Sequence, residues 1–187
     1  MKIYDCFMYY DEDLMLDLRL NTLDKYVDFF VIIESEFYHN GKKRNLKFQI
    51  KNYEKFKNKI IYISQKNEPE GILKINENDN EDTKSYKLIF NANLRENEQR
   101  NQISYGISSA EDNDLILISD VDEIPNLKSV NFNKINNKII MFEQDIFYYK
   151  LNRYLPNFIW YGTKACKKKK LKKPQWLRNI KSKRFQF

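Results

Sequence analysis

Glycine and proline are scarce, four of each in a chain of 187 residues, so the low-complexity linkers that usually separate domains are absent. Cysteine is scarcer: Cys6 and Cys166 stand far apart, in no Cys-x-x-Cys spacing. That excludes a disulfide framework and a cysteine-based zinc site, and it implies unpaired thiols in a reducing compartment. The one histidine, His39, falls in an early polar loop and reads as a solvated loop residue rather than a metal ligand. No apolar run approaches the roughly 20 residues needed to span a bilayer. The stretch Met1–Asp13 has no long apolar core and turns acidic at once, unlike a signal peptide. The chain therefore reads as soluble and cytoplasmic.

What is present suits one domain with a core. Hydrophobic residues make up 42% and aromatics 15%, which excludes a disordered polymer. The net charge of +7 hides an asymmetry. All 26 acidic residues lie at or before Asp145, against 20 of the 33 basic ones, so that part carries a net six negative charges and the remainder is purely basic. A basic tail of this kind can touch nucleic acid, an anionic surface or phosphorylated substrates.

Lys2–Tyr9 reads as a first strand. Asp11, Glu12 and Asp13 then supply a cap and first-turn acids for a helix to about Leu23. Leu14 and Leu18, with Met15 and Leu16, are its expected apolar side. Asp28–Ser35 is a continuous apolar run, the pattern of a buried parallel strand, and Lys59–Ser64 is a third strand. Residues 65–83 are polar and acidic and read as a surface excursion. Tyr86–Ala110 is helical, with Leu88, Ala92, Gln99, Ile103 and Ile107 near helical spacing. Asp114–Ser119 is another buried strand. Lys138–Leu151 reads as one or two strands, Trp160–Thr163 as a short strand or turn, and the chain is basic from Lys167. This alternation implies an α/β layered domain with a mainly parallel central sheet over residues 1–166, followed by a basic tail over 167–187.

In parallel sheets ligands sit beyond the carboxyl ends of the strands. At such an end stands Asp120-Val121-Asp122-Glu123-Ile124-Pro125. Asp120 and Asp122, one residue apart, can aim two carboxylates at one hard cation; oxygen ligands suit Mg²⁺ or Mn²⁺ bridging to phosphates. Such an ion neutralises a leaving diphosphate as a Lewis acid. An Asp-x-Asp is common in solvated turns, but three acids in four positions beside a buried strand need a partner.

The run Ile118-Ser119-Asp120-Val121-Asp122-Glu123-Ile124-Pro125 resembles the hallmark of glycosyltransferase family 17, the β-1,4-N-acetylglucosaminyltransferases that include the bisecting N-glycan enzyme. Other segments agree in order and spacing: Tyr4-Asp5-Cys6-Phe7 with Leu16, Arg19 and Leu20; Phe29–Ser35; Arg95-Glu96-x-x-Gln99-Arg100-Asn101; Phe147-Tyr148-Tyr149; Trp160-Tyr161-Gly162-Thr163; and Pro174-Gln175-x-Leu177-Arg178. The resemblance implies a GT-A-like, Rossmann-type fold, a UDP-sugar donor, Mn²⁺ or Mg²⁺, inversion at the anomeric carbon, and a glycan or other hydroxyl acceptor. Carried over, Asp120 and Asp122 match the metal motif, and Phe7, Glu34, Arg100 and Asp120 are the candidate donor contacts. Glu34 is equally a salt-bridge acid, and Arg100 equally an i,i+4 partner of Glu96. For Arg19 a structural ion pair is the favoured role.

Inverting transfer needs a general base on the acceptor hydroxyl. Glu143 and Asp145 are expected on one strand face, with Asp145 preferred; Glu123, beside the metal pair, is a third candidate in a supporting role. The family's late Gly-Trp-His-Phe-Ser type segment is not found in this sequence. That leaves open a truncated chain, a site completed by a partner, or a degenerate site. The run Lys167–Lys173, six lysines in seven residues, is either a solvated terminus or a weak contact to an anionic surface, with Trp176, Phe185 and Phe187 as aromatic anchors. Alternatives to an active transferase are a truncated, non-catalytic nucleotide-sugar-binding or scaffold protein and, least favoured, a nucleic-acid-binding protein or metal nuclease, since the body is acidic. Oligomeric state leaves no trace in the sequence.

Overall fold

The apolar runs become the middle of one sheet. In a computed structural model describing residues 1–132, 135, 138–150 and 152–181, the strands are Ile3–Tyr9 (β1), Phe29–Ser35 (β2), Ile60–Gln65 (β3), Leu115–Asp120 (β4), Ile140–Gln144 (β5) and Trp160–Lys167 (β6). Their order is β3-β2-β1-β4-β6-β5. The first four run parallel, and β6 is antiparallel to both β4 and β5. The expected mainly parallel α/β sheet is present.

The central strands are mostly apolar because both sheet faces are covered, and their buried acids Asp5 and Glu34 are paired with arginines. On one face Phe7, Phe30, Ile32 and Leu117 pack with Leu16, Leu20 and Leu23 of helix α1, Asp13–Leu23. On the other, Cys6, Val31, Ile33, Ile116 and Ile118 pack with Ile103 and Ile107, at and just beyond the short helix α3, Ile103–Gly106, and with Leu177 of α4, Pro174–Asn179. Burying each such side chain contributes about 1.5–3 kcal/mol. Cys6 and Cys166 are buried and unpaired. Gly106 is required for close approach, since a Cβ there would collide with Val31.

Several local expectations need correction. The buried side of α1 is Leu16, Arg19, Leu20 and Leu23, while Leu14 is 81% exposed and Leu18 points outward. The stripe that meets the sheet is the one with i, i+4, i+7 spacing from Leu16. Helix α2 spans Glu81–Asn101, beginning before the expected Tyr86, because the Asn80 side chain caps it by accepting from the Thr83 amide at 2.8 Å. Leu88 is exposed, and the buried positions of α2 are Asn91, Arg95 and Arg100. Asn91 brackets the backbone of Leu73, and Arg95 holds Glu68 and the His39 carbonyl, so the excursion is pinned to the helix by polar contacts.

Of the expected strand at 138–151 only β5 forms, followed by an isolated bridge between Phe147 and Tyr154; Leu151 lies outside the described residues. The strand expected at Trp160–Thr163 runs on to Lys167 and fills the gap between β4 and β5. Beyond it, α4 is packed by Leu177 and flanked by the buried Ile180. Phe185 and Phe187 lie outside the described residues. Among the described residues no helix is long and apolar enough to cross a membrane.

Candidate functional site

The acidic loop leaves the carboxyl end of β4, where β1 separates strands that diverge to either side, the place at which α/β sheets open a crevice. Its shape is imposed from below by Arg19. This guanidinium is fully buried, so its five N–H donors all need acceptors. Two bonds go to the Asp5 carboxylate at 2.8 and 2.6 Å. One nitrogen donates to the carbonyls of Asp120, Val121 and Glu123 at 3.0, 3.1 and 3.0 Å, and another reaches Ser119 Oγ. The Phe7 ring lies 4.6 Å from the guanidinium carbon. Arg19 is thus the structural pair it was expected to be, and it also clamps the loop backbone.

The three loop acids have three different fates. Both Asp120 oxygens are ion-paired, one to Arg100 at 2.9 Å and one to Arg178 at 2.7 Å. Burial pushes its carboxyl pKa up, but the two guanidiniums outweigh burial and hold it below the usual value. Glu123 is 8% exposed and fully engaged. Its carboxylate accepts from Trp160 Nε1 at 2.7 Å, Arg178 at 2.8 Å and the Asp120 amide at 2.8 Å. Asp122 faces outward, and among the described residues no cation pairs with it. Burial of its carboxylate, followed by the charges of Glu123 and Asp120, pushes its pKa up.

The segment Trp160-Tyr161-Gly162-Thr163 is a cradle for Glu123. Trp160 donates to its carboxylate and Thr163 Oγ1 to its carbonyl at 2.8 Å. Gly162 leaves the space: a Cβ there would stand 2.7 Å from the Glu123 carboxyl carbon. The Gly162 carbonyl also accepts from Arg178 at 2.9 Å.

Two clefts meet at this loop. The first, about 670 Å³, lies over the ends of β1, β2 and β4, with Tyr10, Tyr38, Arg44, His39, Gln99, Asp120 and Asp122 in its walls. The Arg44 guanidinium lies 4.1 Å over the Tyr10 ring, and Tyr10 and Tyr38 are 6.0 Å apart. The second cleft, about 710 Å³, lies between α1 and the segment after β5, and is lined by Asp122, Glu143 and Asp145 among others. Asp122 belongs to both.

Of the other expected donor contacts, Phe7 and Glu34 line neither cleft, and Arg100 reaches the loop through Asp120. Phe7 is enclosed in the core beneath Arg19 and borders neither cleft, because alternation along β1 turns it toward α1. Glu34 is likewise fully enclosed. It accepts from the amides of Lys47 and Phe48 at 2.7 and 3.1 Å and from Tyr62 at 2.9 Å, and it pairs with Arg44 at 3.0 Å. It anchors the loop that walls the first cleft. Arg100 is 1% exposed and spends its charge on Asp120 and Glu96. Of the base candidates, Glu143 accepts from Tyr161 at 2.8 Å, and Asp145 stands exposed just past β5. His39 lines the first cleft but is exposed.

Among the described residues no three His, Cys, Asp or Glu side chains converge into a closed metal cage. The exposed Asp122 carboxylate could instead take part in holding a hard ion bound through one or two carboxylates plus a substrate's phosphates. Sequence reasoning gave no role to Arg178 and Arg44. Both act on partners distant in the chain; Arg178 is marked only by its place in the segment Pro174-Gln175-x-Leu177-Arg178, and Arg44 by nothing beyond its polar loop. The model of glycosyltransferase family 17 matches residues 1–173, a span holding both clefts and the acidic loop. Searches of curated proteins and of solved structures return no match.

Proposed function

The chain belongs to glycosyltransferase family 17, and on that footing we propose that it moves N-acetylglucosamine from a UDP-sugar in the first cleft to a hydroxyl of a glycan in the second, with inversion, on a GT-A type frame. The observation that carries this reading is the meeting of the two clefts at Asp122, which among the described residues has no paired cation. A two-substrate transfer needs two adjoining sites and an electrophile held between them. The aromatic walls at Tyr10 and Tyr38 suit a flat base, and Arg44, paired with Glu34, braces that wall from behind.

Asp122, with Asp120 behind it, is the ligand pair for Mn²⁺ or Mg²⁺; when bound, the ion supplies Lewis-acid neutralisation of the departing diphosphate. Arg19 keeps the loop carbonyls fixed, so the Asp122 carboxylate needs little reorganisation. Asp145 accepts the acceptor's hydroxyl proton on a carboxylate oxygen as that hydroxyl oxygen bonds to the anomeric carbon. The bond from the anomeric carbon to the diphosphate oxygen breaks, and its electron pair leaves with UDP. Glu143, tied to Tyr161, orients the acceptor, and Glu123 supports the loop.

A second reading, nucleotide-sugar binding without turnover, is favoured by the engagement of both Asp120 oxygens with arginines. A panel of UDP-sugars with Mn²⁺, scored for thermal protection and for hydrolysis, separates the two. UDP-N-acetylglucosamine is expected to protect and to be consumed. Protection without consumption supports the second reading, and no protection by any UDP-sugar overturns the donor site.

A further inference from the structure

The walls of the second cleft divide into two kinds. Three carboxylates, Asp122, Glu143 and Asp145, line it. The rings of Phe147, Tyr154 and Phe158, which are 45%, 50% and 48% exposed, line it as well. Phe147 and Tyr154 form a pair, with centroids 5.8 Å apart and an isolated backbone bridge between them. No lysine or arginine lines the cleft among the described residues; Lys150 and Arg153 sit in the same hairpin but outside its walls. Three large rings left half in water around a concave site mark a binding surface rather than a core.

A pyranose has two kinds of surface to match. Its C–H face is apolar and packs on aromatic rings, and its hydroxyls donate hydrogen bonds that carboxylates accept. In the metal-free protein a sugar bearing its own carboxylate or phosphate would meet three carboxylates and, among the described residues, no lysine or arginine in the lining, and like charges held together are penalised. We infer that the second cleft takes an electrically neutral pyranoside, seated on Phe147, Tyr154 and Phe158, and discriminates against uronic acids and phosphosugars. The assignment rests on the transferase reading for its place in the reaction, since the hydroxyl that attacks must lie beside Asp122 and Asp145. The charge selectivity itself belongs to the cleft and stands without turnover.

Matched methyl pyranosides test it: glucoside, galactoside, mannoside and N-acetylglucosaminide, against the methyl glucuronide and galacturonide that carry a carboxylate at C6. In saturation-transfer NMR on the full chain without donor, neutral pyranosides are expected to receive magnetisation at their ring C–H protons, and the uronides at least tenfold less. Phe158→Ala is expected to remove most of that transfer, and Glu143→Gln to narrow the discrimination between neutral and anionic sugars. Uronides that bind as well as their neutral partners, or neutral binding that survives Phe158→Ala unchanged, overturn the inference. With UDP-N-acetylglucosamine and Mn²⁺ added, transfer products are expected only on neutral sugars. Selective sugar binding with no donor consumption would leave the cleft assignment standing and count against turnover. Donor consumption with transfer to uronides would do the reverse.

Discussion

Replacing Arg178 with methionine keeps the apolar stem of the side chain and removes its charge. Arg178 joins α4 to the acidic loop through Asp120 at 2.7 Å, Glu123 at 2.8 Å and the Gly162 carbonyl at 2.9 Å. The Glu123 pair is nearly closed to solvent, with side-chain exposures of 13% and 8%, whereas Asp120 is 37% exposed. A charge-assisted hydrogen bond to the buried partner is worth about 1.5–3 kcal/mol, and the more solvated pair adds about 0.5 kcal/mol after screening. Glu123 keeps Trp160 and the Asp120 amide, so the loss stays below the roughly 3–5 kcal/mol typical of an orphaned buried charge. The expected destabilisation is about 3 kcal/mol, a fall in Tm of about 6–12 °C for a domain of this size. Urea unfolding followed by tryptophan fluorescence reads it directly, because Trp160 touches Glu123. The loss should also depend on pH. Arg178 and Arg100 outweigh burial and depress the Asp120 pKa in the folded state. The stability this contributes is present above the unfolded Asp value, near ~3.9, and is lost as pH falls through the folded value. Wild type and variant should therefore differ most near neutrality and converge in acid. A change below about 0.5 kcal/mol, or one independent of pH, would refute the assignment of Arg178 as the clamp.

Asp122 should behave oppositely to Asp120. Burial and the neighbouring carboxylates raise its folded pKa, so its ionisation opposes folding above the unfolded value, and Asp122→Asn is expected to raise the urea midpoint at pH 7 while abolishing Mn²⁺-dependent UDP-sugar protection. Gly162→Ala drives a methyl against the Glu123 carboxyl and should cost about 1–3 kcal/mol, with a shift in Trp160 emission. Lys164 is nearly enclosed, and burial followed by Arg178 lowers its pKa to about 8. Its charged form opposes folding below that pH, so stability should rise between pH 8 and 10 in the wild type and rise less in Lys164→Met, by chemical denaturation across that range.

The strands were legible because a parallel sheet covered on both faces leaves continuous apolar runs, as in Phe29–Ser35 and Leu115–Ser119. The loop Asp120–Glu123 was legible because its charges follow such a run. Helix α2 was harder to place, since its buried positions are Asn91, Arg95 and Arg100 rather than apolar residues. Polar groups can be buried there because loops from elsewhere supply their partners, a long-range fact that no local periodicity carries. Glu34 could be read either as a donor contact or as a salt-bridge acid for the same reason: the four partners that engage it lie 10 to 28 residues onward. The role of Arg178 depends on Asp120, 58 residues away.

In the proposed function Asp122 joins donor and acceptor clefts in a working transferase. That role is tested most directly by incubating wild type and Asp122→Ala with UDP-N-acetylglucosamine and Mn²⁺ and measuring UDP release, with circular dichroism to verify that the variant is folded. The wild type is expected to release UDP, with release suppressed by chelation, and a folded Asp122→Ala protein to lose at least about a hundredfold. Equal release by the two proteins, or release indifferent to metal, would contradict it.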